Sequence, residues 1–192
     1  MKRGFFGALS LVLFVGLAPS PVSAQTGASA GTQGFYRFPT LRGETIVFAA
    51  EGDLWTVSTQ GGLARRITTH PAQESDPILS PDGRTPAFTA RYEGPVEVYT
   101  MPMEGGVPTR RTFEAEPSIA TTWTPAGDLV YTTQRYSTLP DPQLVSISLK
   151  SGERTRLPLA QASEGSYDQS GRTLYFVRPA FHQNVTRRYK GG

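Results

Sequence analysis

The stretch PILSPDGRTPAFTARYEGPVEVYTMPMEGGVPTRRT, running from Pro77 to Thr112, decides the fold. Three short β-rich runs are separated in it by a Pro-Asp-Gly turn, a Tyr-Glu-Gly-Pro loop and a Gly-Gly turn. The same cadence returns on both sides. A turn glycine stands at Gly43, Gly83, Gly127 and Gly171, at intervals of 40, 44 and 44 residues. An aromatic follows each one: Phe48, Phe88 and Phe176 five residues on, Tyr131 four on. A second turn recurs at Gly61-Gly62, Gly105-Gly106 and Ser151-Gly152. Self-similarity at about 40–45 residues, built from strands, is the sequence sign of propeller blades. The reading is therefore all-β: blades of four-stranded antiparallel sheets, about three and a half of them.

Outward from that unit the chain divides in order. Lys2 and Arg3 precede an apolar run from Phe5 to Ala18, and Val22-Ser23-Ala24 fits a small-residue cleavage site. This predicts a signal peptide over 1–24, cut after Ala24, and a periplasmic or secreted protein; the apolar run is short for a membrane span and stops before Pro19 and Pro21. QTGASAGTQG, residues 25–34, reads as a flexible linker. Residues 35–192 then carry the blades, at about 35–70, 71–114, 115–160 and an incomplete 161–192. By the spacing of the third unit, the second turn of the fourth would fall beyond Gly192. An unclosed ring leaves end blades uncovered, which predicts that these residues are the N-terminal part of a longer protein.

Composition narrows the class further. The formal charge of +3 falls to +1 once Lys2 and Arg3 are removed, with acids and bases interspersed. Nothing forms the basic stripe or aromatic platform that nucleic acid needs. There is no cysteine, so neither a disulfide nor a lipidated mature N-terminus is available. Two irregularities mark the second unit. Pro86 falls within the run Thr85 to Ala90, where a missing donor suggests an edge or irregular position. Arg111 takes the place of Ile67 and Leu157 in the neighbouring units, and its stem can cover that apolar slot.

No catalytic constellation stands out. G-x-S-x-G, H-E-x-x-H and a phosphate loop are all missing, so no catalytic, cofactor-binding or metal-binding residue is assigned. His70 and His182, each near a proline that marks a loop or turn, read as solvated loop residues, and neither has a second ligand at hairpin or helical spacing. Ser166 and Asp168 resemble a sialidase Asp-box, but Asp168 to Gly171 is one residue too long for that turn. Asp82 reads as a turn former, with Gly83 supplying the permissive dihedral. Trp55 and Trp123 read as core or inter-blade packing, against the alternative of a ligand-facing ring. Glu114 and Glu116 are expected to decorate a surface loop. Asn184-Val185-Thr186 fits a glycosylation acceptor, without force in a bacterial-looking chain.

Ser80-Pro81-Asp82-Gly83-Arg84, Phe88-Thr89, Glu97-Val98-Tyr99 and Glu104-Gly105-Gly106 together resemble the TolB/WD40-like propeller repeat. A closer resemblance covers most of the chain. Phe38-Pro39, Gly43 to Phe48 and Gly52-Asp53-Leu54-Trp55 look like the opening blade of tricorn-type proteases and their secreted bacterial homologues. Arg188-Tyr189-Lys190-Gly191-Gly192 is similar to a stretch of their fourth blade. The resemblance implies a serine peptidase whose first propeller filters or docks peptides, followed by a second propeller, a PDZ domain and the catalytic subdomains. It implies as partners peptides or unfolded polypeptide and the downstream domains, and leaves a homo-oligomer open. A TolB-like periplasmic scaffold without enzyme activity, or the propeller of a prolyl-oligopeptidase-like or amidohydrolase-like enzyme, are the rival readings.

Overall fold

The computed structural model describes residues 34–137, 141–168 and 170–178. Every regular element in them is a strand. The first sheet holds β1 (Arg37–Arg42), β2 (Thr45–Ala50), β3 (Asp53–Ser58) and β4 (Arg65–Arg66). The second holds β5 (Glu74–Leu79), β6 (Pro86–Ala90), β7 (Glu97–Thr100) and β8 (Thr109–Arg110). The third holds β9 (Ile119–Trp123), β10 (Leu129–Thr133), β11 (Gln143–Ile147) and β12 (Arg154–Arg156), and β13 (Glu164–Tyr167) pairs with β14 (Leu174–Val177). Each sheet runs antiparallel in chain order, the meander of a propeller blade. The innermost strands β1, β5, β9 and β13 neighbour one another in that order.

The inner strands are apolar on both faces because both faces are covered. In β6 all five residues are buried, and so are all five of β10. Period-two alternation assigns the faces. Phe88 and Ala90 join Val47, Ala49 and Leu54 in a core between the first two blades. Ala87 and Val98 point the other way and join Trp123, Leu129, Tyr131 and Val145 between the second and third. Val130, Leu144 and Ala162 form a third core under Leu174. The cores lie between sheets, so each blade is stabilised mainly by its neighbours.

Backbone hydrogen bonds repeat with the 44-residue period. Ile67 and Arg111 each donate N–H to the carbonyl of Leu54 and Val98 at 2.8 Å. Leu157 donates to Leu144 at 3.0 Å. The next blade is started by Glu74, Ser118 and Ala162, whose amides reach the carbonyls of Gly52, Val96 and Pro142 at 2.9 Å. Arg111 does occupy the Ile67 slot. It is half-buried there, its Nε donates to Thr100 Oγ1 at 2.7 Å, and burial pushes the guanidinium pKa down.

Pro86 corrects the expectation of an edge or irregular place. It is the first residue of an inner strand, opposite Leu79, and its carbonyl accepts from Met101 at 3.2 Å. Its carbonyl faces β7, and so would its N–H; the missing donor therefore falls beyond the Ala87–Thr100 pair that begins the β6–β7 ladder, at the strand end where a proline is tolerated.

Candidate functional site: an axial cleft between inner strands

Among the described residues β1, β5, β9 and β13 each stand at the end of their sheet, with no strand paired along the other edge. Those edges border a cleft of about 890 Å³ lined by residues 38–40, 76–78 and 119–121 of the first three strands and by 163–165 at the start of the fourth. Among the described residues its lining includes Asp76, Glu116 and Glu164 and no Lys, Arg or His. A second cleft of about 680 Å³ opens between the first two blades, over the small residues Ala49, Ala50, Gly52 and Ala90. Phe38 lines both.

The inner strands are bent where they meet the cleft. Between Arg37 and Thr40, and between Ser75 and Ile78, one extra residue is inserted opposite Phe48 and Phe88 respectively. Phe38 (φ 51°) and Asp76 (φ 50°) take the left-handed conformation there, each followed by a proline. That region ordinarily belongs to glycine, and a non-glycine residue in it costs on the order of 1–3 kcal/mol. Bulges of this kind re-aim side chains beside binding sites. Ser75 Oγ donates to Asp76 Oδ2 at 2.6 Å and fixes that carboxylate.

At the same end of the blades the hairpin between the second and third strands lengthens along the chain. It spans residues 51–52 in the first blade, 91–96 in the second and 134–142 in the third. Glu114, expected at a surface, is instead 7% exposed, which is a correction. It accepts from Tyr131 at 2.6 Å and Tyr136 at 3.1 Å, and pairs with Arg154 at 3.2 Å. A carboxylate in that loop can be buried only because the third blade supplies donors for it. Burial and this carboxylate push both tyrosine pKa values up. Glu116 stays exposed at the cleft.

The first two blades are tied by a comparable network. Glu74, 4% exposed, accepts from Leu54 N at 3.2 Å and from the hydroxyls of Thr68 and Tyr92. His70 is exposed, as expected, with its ring 3.8 Å from that of Tyr92 and Nδ1 accepting from Ala72 N. Burial raises the Glu74 pKa above the ordinary carboxylate value, against the hydrogen bonds that lower it. The folded protein then holds this proton more tightly than the unfolded chain does. Its contribution to stability is full below the ordinary value and is lost as pH rises through the raised one, by about 1.4 kcal/mol for each tenfold gain in proton affinity. Thermal melts of Glu74→Gln and the parent, between about pH 4 and about pH 8, should show the variant gaining on the parent as pH rises. A difference that is flat, or that falls with pH, would contradict the raised value.

Asp82 Oδ1 accepts from Ser80 Oγ and Arg84 N, a turn former whose pKa the Ser80 bond lowers. Asp168 and Ser170 make the same turn with the two roles exchanged, and the Ser170 hydroxyl lowers the Asp168 pKa. Trp123 is buried and donates to the Ile78 carbonyl of the preceding blade at 3.4 Å, an inter-blade packer. Trp55 is half-buried and bonds Ala50 O within its own sheet. His182, residues 184–186 and residues 188–192 lie outside the described residues, as does the expected signal peptide. Among the described residues no three metal-ligating side chains gather.

Sequence reasoning missed the blade-two carboxylate. Glu97 is fully buried, bonded to Arg110 Nη2 at 2.8 Å and to the Thr112 hydroxyl, which accepts from Val98 N. Asp53, Arg66 and Thr68 stand 44 residues earlier. The recurrence of Arg-x-Thr after an acidic residue was the available signal. Asp53, one methylene shorter, reaches Arg66 at 3.3 Å, and the Thr68 hydroxyl turns to Glu74 instead.

Residues 33–192 match the family described as tricorn protease N-terminal beta propeller domain. The chain belongs to that family. It is 32% identical over 163 residues to tricorn protease homolog 1 of Streptomyces coelicolor, covering 82% of this chain and 15% of the relative. Putative tricorn protease homolog 2 of the same organism is 39% identical over 79 residues. A solved putative TolB from Agrobacterium tumefaciens superposes with a TM-score of 0.65 at 27% identity, over 76% of this chain and 54% of that one. The crystal structure of the tricorn protease gives 0.64 at 19% identity, over 72% of this chain and 15% of that one, a likeness of fold. This tricorn-type propeller thus spans about 15% of the first curated relative's length.

Proposed function

We propose that this chain is the non-catalytic propeller portion of a tricorn-like serine peptidase, exported through residues 1–24, that admits or binds unfolded peptide for a catalytic domain carried elsewhere in the protein. The observation that carries the reading is the axial cleft of about 890 Å³, bordered by four strand edges along which no further described strand is paired. The tricorn-type relatives support the peptidase part of it. In this reading the blades supply a rigid frame and the lengthening hairpins shape its mouth. A photo-crosslinking residue at Phe38, inside the cleft, should label an unfolded polypeptide at least about tenfold more than one at Leu63, which is 98% exposed on an outer turn. The measurement uses the full-length protein, and equal labelling at the two sites would sink the proposal.

The TolB likeness favours a second reading, a scaffold in an envelope protein complex. The two separate on activity: the full-length protein of the first reading hydrolyses peptides, and a scaffold does not.

A further inference from the structure

Four free strand edges facing one cleft present a physical problem. An extended polypeptide entering it meets strand edges along which no further strand is paired, although Ala120 N is already taken by Thr89 Oγ1 at 3.0 Å, and strand addition to such an edge is a common mode of peptide capture. A chain captured in this way would be held by its backbone whatever its sequence. It would block the cleft.

β1 and β5 carry the same interruption at the place where they line the cleft. Each has one inserted residue, one left-handed non-glycine residue and one proline, in Phe38-Pro39 and in Asp76-Pro77. The inserted residue breaks the period-two alternation, so a straight incoming strand cannot keep register across it. The left-handed residue turns the edge locally, and the proline holds φ while removing one donor. β9 is also bulged, between Ala120 and Thr122, though without a proline or a left-handed residue. The hairpin-facing sides of these strands keep their ladders: Thr40, Leu41 and Arg42 pair with β2, and Ile78 and Leu79 with β6. The interruption therefore costs the blade little pairing and falls on the part of the strand that faces the cleft.

We propose that the two bulge–proline pairs guard the cleft walls against strand addition, so that extended polypeptide can occupy the cleft without being incorporated as a further strand of a blade. The proposal rests on the reading of the cleft as a peptide path. It assigns the strained backbone at Phe38 and Asp76 to keeping an interaction surface open.

The test is the double variant Pro39→Val, Pro77→Val in the full-length protein, with reduced and carboxymethylated lactalbumin as the unfolded probe. Release of the probe followed by fluorescence anisotropy should slow by about tenfold or more, and amides of residues 37–40 and 76–79 should gain exchange protection only in the complex. A folded double variant that releases the probe at the parental rate overturns the proposal, as does one that binds no probe at all. Pro77 is buried, so if the double variant fails to fold, Pro39→Val alone carries the test, since Pro39 is exposed. Failure of the peptide-path reading looks different: the parent neither binds nor hydrolyses polypeptide, while the variant still captures it.

Discussion

Glu97→Ala should cost about 3–5 kcal/mol of stability, the range for removing one partner of a buried ion pair. Glu97 has no exposed surface. One oxygen meets Arg110 and the other accepts from Thr112, whose hydroxyl also holds Val98 N at 2.8 Å. After truncation the Arg110 side chain, 17% exposed, keeps only the largely exposed Glu93 at 3.1 Å and the Thr112 carbonyl at 2.9 Å. Its planar group also stacks over Phe113 at 4.5 Å, which offsets little of the loss. The repeat supplies its own control. Asp53→Ala removes the carboxylate 44 residues earlier, whose partner Arg66 is 45% exposed and keeps the Thr68 carbonyl. Asp53 is itself buried, but the cation left behind is solvated, so that change should cost about 1 kcal/mol or less. Urea unfolding of both variants against the parent measures the difference, with thermal midpoints apart by about 2–4 °C per kcal/mol. Equal losses would mean that burial of the arginine left behind is not what makes the Glu97 pair matter.

That contrast also shows what could be read from the chain and what could not. The blades were legible because turns are local. Gly43, Gly83, Gly127 and Gly171 all adopt positive φ, from 58° to 92°, and the strands between them follow from composition and alternation. Glu114 was misjudged because its burial depends on Tyr131, Tyr136 and Arg154, from 17 to 40 residues further on in the next blade. A loop carboxylate looks solvated until the neighbouring sheet is in place. Glu74 is similar, its fate decided by Thr68 behind it and Tyr92 ahead of it. The cleft was illegible for another reason. Nothing in the dipeptides Phe38-Pro39 and Asp76-Pro77 marks them as a pair, and only the register with β2 and β6 shows that they are matched bulges in two blades.

Phe88→Ala should be about as damaging as Glu97→Ala, at roughly 3–5 kcal/mol, through a cavity rather than a stranded charge. The ring is fully buried. It stacks on Tyr99 at 6.1 Å and meets the edge of Tyr92 at 6.2 Å, within the core shared with Val47 and Leu54 of the first blade. Phe48 holds the corresponding place five residues after its own turn glycine, yet it is only half-buried. Its ring meets Tyr36 edge-on at 5.4 Å, beside an apolar hollow of about 330 Å³ with Ile46 and Pro39. Phe48→Ala in the 192-residue chain should therefore cost about half as much as Phe88→Ala, in proportion to the apolar area already out of water. The pair becomes a measure of ring closure. If further blades cover this face in a longer protein, Phe48 becomes a core residue there and its loss approaches that of Phe88. Unfolding both variants in the short and the long protein gives four numbers. A Phe48 cost that stays at about half in the long protein would mean that the outer face of the first blade remains open, and that the cleft is not part of a closed ring.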